Sequence, residues 1–126
     1  MGFTFLGWEM GIQRFGTTRR FSDSVVHNRT IYLVEVPANP ESGIVAQTEH
    51  LLASVERLLA QAGSDKSRLL MVTIYLADMA DYDAMNTVWD VWLAPGCAPA
   101  RACVEARLAN PDFRVEMALT AAVAQG

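Results

Sequence analysis

Lysine is nearly missing from this sequence: of its ten basic residues only Lys66 is one, and against fourteen acidic residues the formal net charge is −4. A surface for nucleic acid or an anionic membrane gathers a basic excess on one face, so this balance argues against both partners. Long apolar runs are missing too. No stretch approaches the roughly 18 apolar residues that cross a bilayer. The opening Met1-Gly-Phe-Thr-Phe-Leu-Gly-Trp-Glu-Met10 lacks a basic flank and is broken by Glu9, which makes it a poor secretion signal. Cysteine is scarce, since Cys97 and Cys103 are fewer than the disulfide framework of a small secreted domain requires. The expectation is a reduced, cytoplasmic protein. His27 and His50 stand far apart, and with no Cys-x-x-Cys or His-x-x-x-His pair no metal site is expected.

What is present suits one core. The chain has 126 residues, 52% hydrophobic and 19% charged, enough to bury about two-thirds of the unfolded surface in a single domain. Residues 12–126 are read as that domain, with residues 1–11 as an N-terminal extension. Val25-Val-His27 and Thr30-Ile-Tyr-Leu-Val-Glu-Val36 flank Asn28-Arg29, a β-hairpin pattern in which Asn accepts positive φ. Two prolines and a glycine make 37–43 a loop. Val45, Thr48, Leu51, Leu52, Val55, Leu58 and Leu59 recur at three- and four-residue spacing, predicting an amphipathic helix over 44–61 capped by Gly63.

Arg68 to Leu76 is apolar and β-branched, the pattern of a central strand buried on both faces. A second helix is predicted from Asp81, a suitable N-cap, to Pro95-Gly96, with Tyr82, Met85, Trp89, Trp92 and Leu93 on one stripe. Residues 101–108 and 114–123 alternate as strands, and the turn residues 109–112 between them suggest an antiparallel pair. The order ββ-α-β-α-ββ implies an α/β (α+β) class: a single mixed sheet with two helices on one face. The other face, left apolar, then calls for a second copy of the chain.

Two charged residues stand out on strands of small or apolar neighbours. Arg101 carries the planar fork that matches a carboxylate, and Glu116 is a group that can orient a water. On spacing alone a plain salt bridge between adjacent strands is the preferred explanation of the pair, with Glu105 and Arg107 as rim charges. Cys103 shares a face with Arg101 and reads on its own as a small buried hydrophobe. Asn86 breaks the apolar stripe of the second helix, where an amide needs partners and is best explained as an anchor for a neighbouring loop.

The runs Ala98-Pro-Ala-Arg-Ala-Cys-Val-Glu105, Val115-Glu-Met117, Ala62-Gly-Ser-Asp-Lys-Ser67 and Asp81-Tyr-Asp-Ala-Met-Asn86 resemble the RidA/YjgF family of enamine/imine deaminases. Arg20-Phe-Ser-Asp23, Val26-His-Asn28, Ile31-Tyr32, Gln47-Thr48 and Asn86-Thr-Val-Trp-Asp-Val-Trp92 resemble its YoaB-like branch, and the likeness spans about residues 12 to 124. The resemblance implies a chorismate-mutase-like fold and a homotrimer with clefts between subunits. It implies that Arg101 grips the carboxylate of a 2-imino acid, that Cys103 offers backbone contacts, and that Glu116 positions the attacking water. The products would be a 2-keto acid and ammonia, with no cofactor and no metal.

Two positions depart from the family pattern. Val34-Glu35 stands where a small residue and glycine usually let the backbone close on the ligand, and a glutamate there would meet Arg101 and repel a carboxylate. Near residue 20 the usual tyrosine is replaced by Arg20-Phe21, leaving Phe21 as a site-bordering aromatic. The alternative function is therefore a non-catalytic, small-carboxylate-binding or regulatory trimer.

Overall fold

The computed structural model describes residues 11–124. The expected extension over 1–11 lies outside the described residues apart from Gly11. Six strands form one mixed sheet: β1 (Gln13–Phe15), β2 (Ser24–His27), β3 (Thr30–Glu35), β4 (Leu69–Leu76), β5 (Ala100–Glu105) and β6 (Val115–Ala122), ordered β1-β2-β3-β6-β4-β5. Helix α1 (Ile44–Gln61) links β3 to β4, and α2 (Tyr82–Trp92) links β4 to β5. The hairpin turns at Asn28 and Arg29, with φ of 51° and 62°, as the two-residue spacer predicts. Gly63 ends α1 at φ 79°, where its N–H and that of Ser64 reach back to the carbonyls of Ala60 and Leu59.

Alternation decides which side of each strand is buried. Ile31, Leu33, Val72, Ile74, Leu76, Val115, Met117, Leu119 and Ala121 face the helices, and Leu51, Leu52, Val55, Leu59, Met85 and Trp89 close over them. The opposite face carries Tyr32, Val34, Met71 and Val104, between 42% and 50% exposed. The central strand β4 is thus covered on one face only within a chain, although its sequence reads as buried on both.

The expected antiparallel pairing of the last two strands is not formed. β5 pairs in parallel with β4 at the sheet edge, while β6 lies between β3 and β4, antiparallel to both. The helix between β4 and β5 allows a parallel return, which a short turn does not. The strand with the fully buried inner row takes the centre. β5, whose inward residues Arg101 and Cys103 are only partly covered, takes the edge. Short β1, not anticipated from the sequence, finishes the other edge.

Asp81 precedes α2 as expected but does not cap it. Its carboxylate instead takes a two-pronged contact from Arg114, Nε to Oδ2 at 3.0 Å and Nη2 to Oδ1 at 3.1 Å. That bond ties the start of α2 to the residue before β6.

Candidate functional site

The register sorts the candidate residues into two groups. Arg101 pairs with Val72 and Cys103 with Ile74, both core residues, so the Arg101 and Cys103 side chains point to the helix face at the β5 edge. Glu116 is opposite Tyr75 and alternates with buried Val115 and Met117, which places it on the open face. β4 lies between the two strands, a separation of about 10 Å at ordinary strand spacing. The cross-strand salt bridge considered for Arg101 and Glu116 is therefore absent: the strands are not neighbours, and the side chains leave opposite faces.

At the β5 edge Arg101 is held by α2. Its Nη1 donates to Asn86 Oδ1 at 2.8 Å and its Nη2 to Tyr82 Oη at 3.3 Å. The guanidinium carbon lies 5.5 Å from the Trp89 ring centre and 5.9 Å from that of Tyr82, near enough for a cation to feel both π faces. Asn86 is thus an anchor for Arg101 rather than for a loop. Among the described residues no carboxylate stands within 4.0 Å of this guanidinium, whereas ion pairs form elsewhere, among them Lys66–Glu56, Arg68–Asp65 and Arg114–Asp81. The positive charge is held by neutral oxygens and ring faces, an arrangement that can accept an anion. Beside it opens a cleft of about 390 Å3, lined by Asn86, Trp89, Asp90, Ala98, Pro99 and Arg101.

Cys103 packs against the core, and burial pushes its thiol up, with the Arg101 charge pulling the other way. It is a neutral thiol rather than a thiolate.

Glu35, Val34 and Phe21 lie elsewhere in the chain. Glu35 turns toward α1, where burial and then the Asp23 charge raise its carboxyl above the usual range, against a hydrogen bond from Ser54 and the charge of Arg57. The expected encounter of Glu35 with Arg101 is not made within a chain, because β6 and β4 separate their strands. Val34 is on the open face. Phe21, 62% exposed, tips the turn between β1 and β2, at the far side of the sheet from β5.

Tyr82 was not among the sequence candidates. Its signal is the spacing Tyr82, Asn86, Trp89, which at i, i+4, i+7 makes one helix stripe, although from the sequence Tyr82 and Trp89 on it read as core. Among the described residues no group of three His, Cys, Asp or Glu could hold a metal ion, and no helix is long and apolar enough to cross a membrane.

The fold and the sequence match a known class. The family model described as Endoribonuclease L-PSP matches residues 11–123, and the chain belongs to that family, known also as RidA/YjgF. Its place within the family is the YoaB-like branch. It is 44% identical over 114 residues to the RutC family protein YoaB of Escherichia coli K12, covering 90% of this chain and all of that one. A RutC family protein of Haemophilus ducreyi is 46% identical over 113 residues, 89% of this chain and 97% of the relative. The crystal structure of a YjgF family member from Neisseria meningitidis superposes with a TM-score of 0.89 at 50% identity, covering 94% of this chain and 99% of that one. A shorter match, 38% identical over 78 residues, 62% of this chain and 61% of the relative, is to a protein of Acinetobacter baylyi named 3-aminoacrylate deaminase RutC.

Proposed function

We propose that the protein hydrolyses reactive 2-imino and enamine acids to 2-keto acids and ammonia. The observation that carries this reading is the Arg101 guanidinium, held in a cleft by the neutral oxygens of Asn86 and Tyr82 with no carboxylate partner among the described residues. Such a fork is matched to a ligand carboxylate. The deaminase relative acts, by its name, on a carboxylate-bearing enamine, which has the same two features.

Arg101 binds the substrate carboxylate, Cys103 contributes backbone contacts beside it, and Glu116 orients a water toward the C=N carbon. An enamine first tautomerises to the imine. Water adds to the C=N carbon as Glu116 takes its proton and passes it to the nitrogen. The carbinolamine then expels ammonia as its hydroxyl proton moves by the same carboxylate to the nitrogen, leaving C=O where C=N stood and Glu116 ionised again. Catalysis of this kind, by a positioned carboxylate, contributes about 10²–10⁴-fold.

Because Arg101 and Glu116 leave opposite faces of one sheet, a shared site is completed by a second copy. A homotrimer serves this requirement. A head-to-tail ring brings the β5 edge of each subunit to a different surface of the next and closes on itself. The half-exposed apolar row of Tyr32, Val34, Met71 and Val104 supplies a face to bury. Light scattering should give about three times 13.8 kDa, and a stable monomer would refute the shared site.

The activity is tested by generating imino acids in place with an amino-acid oxidase and following ammonia release. Wild type should accelerate it and Arg101→Ala should lose most of the gain. Equal rates for the two proteins would sink the proposal and favour the non-catalytic, carboxylate-binding alternative.

A further inference from the structure

The contact between Arg101 and Tyr82 has a forced direction. A guanidinium only donates, so Tyr82 Oη is the acceptor from Nη2 at 3.3 Å, and the phenol's own proton is not used there. Among the described residues that hydroxyl donates to no protein group, and Tyr82 is 39% exposed. Arg101 meanwhile spends one N–H of Nη1 on Asn86 and one of Nη2 on Tyr82, keeping three of its five. A carboxylate that docks on the remaining Nη2 proton comes to rest beside the Tyr82 O–H.

Building on the deaminase reading, we infer that Tyr82 is a substrate-binding residue whose hydroxyl donates a hydrogen bond to the ligand carboxylate alongside Arg101. Phenylalanine at this position would keep the ring beside the guanidinium and lose the hydroxyl, both as the acceptor for Arg101 Nη2 and as the donor to the ligand. The hydroxyl therefore adds selectivity for ligands that present an oxygen acceptor next to the arginine, at little cost in side-chain entropy because a tyrosine has only two torsions to fix.

Tyr82→Phe isolates the hydroxyl. Pyruvate binding to the whole protein, followed by calorimetry, should weaken about three- to tenfold. KM for imino acids should rise by a similar factor with kcat and the melting temperature unchanged. A structural role through Arg101 alone could also weaken binding, so a second readout is needed. With tyrosine labelled by 13C at Cζ, three signals are present, Tyr82→Phe assigns one, and pyruvate should shift that one. Unchanged affinity in the variant would overturn the inference, and so would weakened affinity with a Tyr82 signal indifferent to pyruvate. Failure of wild type to bind pyruvate is a different result, which contradicts the proposed function itself and takes this inference with it.

Discussion

Replacing Gln47 by leucine should unfasten the approach to Glu116. Gln47 is fully buried in the first turn of α1. Its Nε2 lies 2.9 Å from each of the carbonyl oxygens of Pro40, Ser42 and Asp112, and its Oε1 accepts from the Arg114 backbone N–H at 2.7 Å. One amide thereby joins the 37–43 loop to the turn that leads into β6. Leucine keeps the bulk and removes every partner. An amide has two protons to give, so two carbonyls and one N–H lose a full bond, each worth about 1 kcal/mol and more where burial leaves the group unpaired. Allowing for the apolar burial that leucine adds, the loss is about 2–4 kcal/mol. For a chain of this length that corresponds to a fall in melting temperature of about 8–15 °C.

Urea unfolding followed by tryptophan fluorescence at one protein concentration should show the midpoint falling with the slope unchanged. Gln47→Glu should be no better, because its carboxylate can still accept from Arg114 but turns an acceptor toward three carbonyls. A loss below about 1 kcal/mol in both variants would mean that these backbone groups find other partners and that the amide does not hold the loops.

Two further outcomes follow from the same geometry. Glu35 is held above the usual carboxylate range first by burial and then by Asp23, so the folded chain binds a proton more readily than the unfolded one. Stability is then lost as pH rises from that usual range through the raised folded value. Glu35→Gln should flatten this limb and raise the melting temperature at pH 7; a slope that survives the substitution would contradict the assignment. Cys103, pushed up by burial, should react with a disulfide reagent at pH 8 more slowly than free cysteine. The measurement uses Cys97→Ala protein, and reaction as fast as free cysteine would show a thiolate where none is expected.

The sequence makes the elements legible and leaves their neighbours hidden. Asn28-Arg29, the 44–61 stripe and Gly63 each carry a local signal, a positive φ or a helical period, and each appears where it points. Strand order has no such signal. Residues 109–112 look like a hairpin turn, yet β5 has already been returned to the far side of β4 by α2, and only the non-local pairing shows it. Asp81 reads as a cap because the local pattern cannot show Arg114, which claims its carboxylate. At the site, Arg101 is conspicuous as a guanidinium among small residues and Asn86 as an amide on an apolar stripe, while Tyr82 is disguised as one more aromatic of that stripe and nothing local shows that Asn86 meets Arg101. That Arg101 and Glu116 leave opposite faces depends on the place of β4 between them, which no spacing along the chain encodes.

The most direct measurement is the rate at which one 2-imino acid, generated in place, becomes keto acid and ammonia with and without the protein. Wild type should exceed the buffer rate and saturate with substrate. Glu116→Gln should retain pyruvate binding and lose about 10²–10⁴-fold in kcat, as expected of the group that positions water. A wild-type rate equal to buffer at every protein concentration, with pyruvate still bound, would contradict the account and leave a carboxylate-binding protein in its place.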